Sequence, residues 1–114
     1  MRSELFMRSG ELAWEELGGG VQRQLLGYDE TVMLVRVRFA RGAVGTRHRH
    51  PHRQTTFVES GRFEVEIGGE RRVLEQGDGF FVPPDVEHGV VALADGVLTD
   101  VFAPAREDFL PSPG

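Results

Sequence analysis

Short runs of alternating apolar and charged residues, each cut off by glycine, constrain this chain more than any other feature. Phe63, Val65 and Ile67 alternate with Glu64 and Glu66, the period-two pattern of a strand with one buried face. Gly68 and Gly69 then supply a two-residue hairpin turn into Arg71–Leu74. Within Thr31–Phe39, Met33, Val35, Val37 and Phe39 share one face while Arg36 and Arg38 share the other. Similar runs cover Val21–Gly27, Gln54–Ser60, Phe80–Val82, Val86–Leu93 and Val97–Ala103, with turns at Ser60-Gly61, Pro83-Pro84 and Asp95-Gly96. With 15 glycines in 114 residues, many short strands and close turns predict an all-β single domain, a sandwich or barrel. A chain of this length buries roughly two-thirds of its unfolded surface. A short helical turn is expected around Trp14–Leu17, broken by Gly18–Gly20. Residues 1–20 therefore read as an N-terminal extension, 21–110 as the β-barrel and 111–114 as a frayed tail.

Thirteen basic against 18 acidic residues give a net charge of −5, which argues against non-specific nucleic-acid binding. Every basic residue is arginine, read here as compositional bias. No apolar run is long enough to cross a membrane, and Met1–Phe6 lacks the apolar stretch of a signal peptide, so a cytoplasmic location is expected. The absence of cysteine removes any disulfide framework.

Three histidines and a glutamine carry the chemistry. His48 and His50 sit two apart, so on a strand they leave the same face, and Gln54 lies a further even number along. His88 arrives from a separate segment, after Pro83. Neutral imidazoles and an amide oxygen suit one borderline divalent cation, and an open coordination position would make it catalytic. A histidine-rich surface loop is the bland alternative, as is a Gln54 that only hydrogen-bonds.

The spacing of these residues resembles the cupin superfamily, whose motifs run G-x5-H-x-H-x3-E-x6-G and G-x5-P-x-G-x2-H-x3-N. Gly42, His48, His50 and Gly61 fall on the first motif, with Gln54 in place of glutamate. Gly77, Pro83 and His88 fall on the second, with Asp85 for glycine and Ala92 for asparagine. The resemblance implies a cupin fold (a double-stranded β-helix or jelly-roll barrel) with His48, His50, Gln54 and His88 holding a metal inside it. Replacing the carboxylate by an amide leaves the cation's charge in place, a strong Lewis acid that attracts anions.

The last strand adds a candidate base. Leu98, Asp100 and Phe102 share one face, and an acidic residue on so apolar a strand is uncommon unless paired or working. Arg106 could fork onto a substrate carboxylate. An Asp100–Arg106 ion pair, or an Asp100 facing solvent, would be structural instead.

Gly27–Asp29, Arg47–Gln54, Ser60–Phe63, Val82–Ala92 and Gly96–Leu110 together resemble KdgF-type cupins of pectin and alginate breakdown. That resemblance covers most of the chain. It implies ring opening of 4,5-unsaturated monouronates to linear 5-keto-4-deoxyuronate on a His3Gln metal site of Ni, Zn, Co, Fe or Mn. By the same resemblance, Asp100 and Arg106 are catalytic, and Phe102 and Arg106 bind the small anionic sugar. Arg47, Arg49 and Arg53 alternate with the histidines and are expected to point away from the metal. His52 shares the ligands' parity and is expected to contact them from behind. A homodimer is expected, using edges and faces of Val21–Leu26 and Val32–Phe39. Two other classes stay open: an iron-dependent oxygenase, which would consume oxygen, and a non-catalytic sugar-binding cupin.

Overall fold

The computed structural model describes residues 1–111. Its strands are β1 (Glu15–Gly18), β2 (Val21–Tyr28), β3 (Met33–Phe39), β4 (Val44–His48), β5 (Arg53–Ser60), β6 (Arg62–Ile67), β7 (Glu70–Glu75), β8 (Gly79–Val82), β9 (His88–Ala92) and β10 (Gly96–Ala103). They form two antiparallel sheets, a six-stranded one in the order β1-β2-β3-β10-β5-β8 and a four-stranded one in the order β4-β9-β6-β7. The all-β expectation therefore holds. Tail residues 112–114 lie outside the described residues.

Register decides what faces inward. Strand β10 lies between β3 and β5, so Leu98 opposes Val37 and Val58, Asp100 opposes Val35 and Thr56, and Phe102 opposes Met33 and Gln54. Directly opposed residues share a face. One apolar cluster gathers Phe39, Val58, Phe63, Val65, Ala92 and Leu98, with Phe39 and Phe63 edge to face at 5.3 Å. A second gathers Met33, Val35, Phe102 and Ala105. Buried among these hydrophobic residues are the polar side chains of His50, Gln54, Thr56, His88 and Asp100.

Two expectations are corrected. Glu15–Gly18 is a strand, not the helical turn expected over Trp14–Leu17. Across the hairpin Arg23 donates to Glu15 at 3.0 Å and Gln22 to Glu16 at 2.9 Å, and three successive glycines at positive φ make the turn. Pairing with β2 overrides the local preference. Nor do Val21–Leu26 and Val32–Phe39 offer free edges, because β2 is flanked by β1 and β3, and β3 by β2 and β10. The edges of the six-stranded sheet are β1 and β8.

Gly61 closes the tightest corner. It adopts φ +86, and a Cβ there would lie 2.6 Å from the Asp95 oxygen and from Gly96 Cα. Gly61→Ala meets both the left-handed backbone cost and a backbone clash, so it should lose at least about 2 kcal/mol. Chemical denaturation measures this; a midpoint within error of the parent would refute the account.

Candidate active site

The two cupin-like motifs meet at one end of the barrel. His48 ends β4, His50 lies in the connection to β5, Gln54 sits on β5 and His88 begins β9. His48 and His88 are register partners. The backbone N–H of Asp85 donates to the His50 carbonyl at 2.8 Å, tying the second motif to the first. Asp85 takes φ +63, a left-handed conformation that glycine adopts freely and aspartate tolerates. That accounts for an aspartate where the wider motif has glycine.

Each histidine is oriented by a backbone carbonyl. His48 Nδ1 lies 2.8 Å from Thr46 O, His50 Nδ1 3.0 Å from His52 O and His88 Nδ1 2.9 Å from Val86 O. A carbonyl only accepts, so each Nδ1 carries the proton and each Nε2 keeps its lone pair. Potential ligand atoms of the three rings lie within 4.8 Å of one another. Burial lowers His50 and pushes His88 down to about 4, so both are neutral near pH 7.

This arrangement fits a cation. His88 Nε2 is buried with no hydrogen-bond partner. His50 Nε2 lies 3.0 Å from Gln54 Oε1, and with Nδ1 already donating this sets two acceptors face to face. A positive charge shared by both resolves the conflict. The amide is held that way round because its Nε2 donates to Thr56 Oγ1 at 3.0 Å and approaches Asp100 Oδ1 at 3.5 Å. His48, His50 and His88 could thus hold a divalent ion, with Gln54 presenting its oxygen to the same group.

Asp100 is buried and receives the Thr56 hydroxyl at 2.6 Å. Burial raises its carboxyl to about 6, against the opposing pull of Thr56, Arg106 and Gln54. Arg106 makes no ion pair with Asp100; its Nε and Nη2 fork onto Asp108 at 3.0 and 2.8 Å. Phe102 stands edge-on to His50, ring centroids 5.6 Å apart, with the Arg106 guanidinium 5.2 Å above its own ring. Gln54, Asp100, Phe102 and Arg106 join His48 and His88 in lining one cavity of about 180 Å³. Pockets for drug-sized molecules run to roughly 300–1,000 Å³, so this one is on the scale of a smaller ligand.

Arg47 pairs with Glu66 and Arg49 with Glu87 on the outer surface, and Arg53 is exposed. His52 touches the site through its carbonyl, which holds His50, and through its ring, edge-on to His50 and Phe102. Thr56 was not anticipated from the sequence, although its even spacing from Gln54 places it on the same strand face. Arg23 and Phe109, also cavity residues, were missed too. An arginine between Val21 and Leu25 on an otherwise apolar face was the available sign.

Comparison with known proteins agrees with this architecture. A family model described as the cupin domain matches residues 35–102. The pectin degradation protein KdgF of Dickeya dadantii is 47% identical over 102 residues, spanning 88% of this chain and 93% of that protein. An RmlC-like cupin from Shewanella frigidimarina superposes with a TM-score of 0.94 at 45% identity, covering 96% of this chain and 98% of that one. KdgF from a Halomonas species superposes at 0.91 and 42% identity, covering 95% and 100%.

Elemental analysis of the purified protein should find about one divalent ion per chain. His48→Ala and His50→Ala should abolish it, and Gln54→Ala should weaken it; full occupancy in either histidine variant would refute the ligand set. In metal-free protein, NMR titration should find His88 uncharged down to about pH 4. The unfolded chain takes up that proton near 6.5 and the folded one does not, so His88 costs stability as pH falls from 6.5 to about 4.

Proposed function

The chain belongs to the cupin family, among its KdgF-type members, and from that premise we propose that it opens the ring of 4,5-unsaturated monouronates. The product is the linear 5-keto-4-deoxyuronate. One observation carries the reading: a buried carboxylate and a guanidinium share one small cavity with His48 and His88 of the three-histidine group.

The substrate is a hemiacetal whose ring oxygen is bonded to an enol carbon bearing a carboxylate. Loss of the anomeric hydroxyl proton breaks the bond from C1 to the ring oxygen. C1 becomes an aldehyde and the electron pair passes to an enolate, which takes a proton at C4 to give the ketone. Atoms balance, and the reaction is a net isomerisation. A divalent ion on His48, His50, Gln54 and His88 would supply Lewis-acid stabilisation of the enolate charge. Ni, Zn, Co, Fe and Mn all suit that donor set.

Asp100 is the proton-transfer group. Its raised carboxyl sits near neutrality, where one group can both accept and return a proton. Thr56 fixes the carboxylate so that the proton moves at a defined oxygen. Arg106 anchors the substrate carboxylate, and Phe102 forms an apolar wall that excludes water. Unsaturated monouronates from pectin and alginate present the same reacting group, and the proposal covers both. We place the reaction in the cytoplasm.

A homodimer is part of the same reading. Phe57 on β5 and Phe81 on β8 stand half-exposed on the outer face of the six-stranded sheet, beside its β8 edge. A second copy would cover both. Light scattering should return twice the chain mass across a concentration series; the mass of one chain throughout would exclude the dimer.

Purified metal-loaded protein should discharge the absorbance of unsaturated monouronate without consuming oxygen. An inactive protein would overturn the function, and oxygen uptake would put an oxygenase in its place. Asp100→Asn should fold, keep its metal and lose about two to four orders of magnitude in turnover. Arg106→Ala should raise KM as well as lower turnover. Because the base must be ionised, activity should rise with pH on a limb at or below about 6; a flat profile from 4 to 7 would refute the assignment of Asp100.

A further inference from the structure

Two arginines, not one, line the cavity. Arg23 lies on β2 opposite Val37 of β3, and both residues border the space shared with His48, His88 and Asp100. Its neighbours on that face, Val21 and Leu25, pack against the two apolar clusters. A guanidinium in such company costs desolvation free energy unless it is paired. Its pairing is one-sided. Nε and Nη2 both donate to Glu15 Oε2, at 3.1 and 3.0 Å, and Nη1 has no protein acceptor among the described residues.

Arg106 repeats the pattern, spending Nε and Nη2 on Asp108 and leaving Nη1 without an acceptor among the described residues. The two guanidinium carbons share the Phe109 ring, lying 3.9 Å and 4.2 Å from its centroid. Both arginine side chains are nearly buried, at 13% and 12% exposure, whereas Glu15 and Asp108 are more than half exposed. Solvent therefore screens the acidic partners more than the cations, and the cavity side keeps an excess of positive charge.

We propose that Arg23 is a second substrate-anchoring residue, which with Arg106 seats the carboxylate of the sugar beside Phe109 and selects uronates over neutral sugars. The inference rests on the uronate reading above and adds the specificity element to it. A carboxylate offers about four lone-pair sites and one guanidinium edge fills two. The second arginine occupies the remainder. A neutral hydroxymethyl group in the same place leaves two half-paired cations without an acceptor, which is the stronger form of discrimination.

The test compares metal-loaded parent, Arg23→Met, Arg23→Gln and Glu15→Gln on unsaturated monouronate. Arg23→Met should raise KM roughly 10- to 50-fold with kcat within about threefold and metal content unchanged. Arg23→Gln keeps a donor for Glu15 and carries the same expectation, so the result stands if the methionine variant does not fold. Glu15→Gln removes the ion pair but keeps the arginine, and KM should move by less than about threefold. An unchanged KM in the arginine variants overturns the inference, as does a Glu15→Gln loss equal to theirs, which makes the ion pair the active element. Binding separates this inference from the reaction itself. Calorimetry in an Asp100→Asn background should find monouronate bound, and bound at least about tenfold more weakly once Arg23 is also Met. No binding in Asp100→Asn alone would sink the uronate reading and this inference with it. Binding that ignores the second substitution sinks this inference alone.

Discussion

A carboxylate enclosed in a barrel this small has to be satisfied by its immediate neighbours, and satisfying Asp100 sets the orientation of what surrounds it. Its oxygens only accept when ionised, so the groups facing it must donate. Thr56 gives its hydroxyl at 2.6 Å, and Gln54 turns its NH2 edge the same way. An amide has one edge of each kind, so the Gln54 oxygen is left facing the histidines. A glutamate at 54 would place a second carboxylate beside the first, and the repulsion would raise both carboxyls further or expel one. The amide is therefore the side chain that the neighbouring Asp100 carboxylate permits at 54. His50, Gln54, Thr56 and Asp100 form one hydrogen-bond relay, with the histidine group at one end and the buried carboxylate at the other.

The histidines are ordered by a different device with the same logic. Three backbone carbonyls, from Thr46, His52 and Val86, fix three Nδ1 protons, so the lone pairs converge without any side chain being spent on orientation. Because the carbonyls are neutral, they add no negative charge to the site. The acidic side chains beside the cavity arginines, Glu15 and Asp108, sit out toward solvent. An interior assembled this way is short of negative charge, and a substrate carboxylate makes up the difference.

Much of the fold was legible because period-two alternation reports directly on burial. Phe63, Val65, Leu98 and Phe102 all point inward as their spacing requires. The three-histidine group was legible for a similar reason: residue type and spacing survive without knowledge of the topology. What the sequence left hidden depends on pairing between distant strands. Glu15–Gly18 carries no strong strand pattern and becomes a strand only because β2 offers partners to Glu15 and Glu16. The true sheet edges follow from strand order, which alternation along one strand does not encode. The alternative of a structural Asp100–Arg106 ion pair was settled only by the fold: the nearer Asp108 takes the fork and leaves Asp100 to Thr56. Arg23 interrupts an otherwise apolar face between Val21 and Leu25, but only the register opposite Val37 sets it at the cavity.

The proposed metal-binding set straddles the two sheets: His48 and His88 belong to the four-stranded one, and Gln54 to the six-stranded one. An ion shared by these side chains would be a clasp across the barrel as well as a reagent. Binding to the folded state alone stabilises it by about 2.7 kcal/mol when free metal stands at a hundred times its dissociation constant. Such a gain is a sizeable part of the stability of a domain this size. Protein that loses its ion would lose activity and become easier to unfold in the same event, so metal-starved copies would be the ones that proteases remove first.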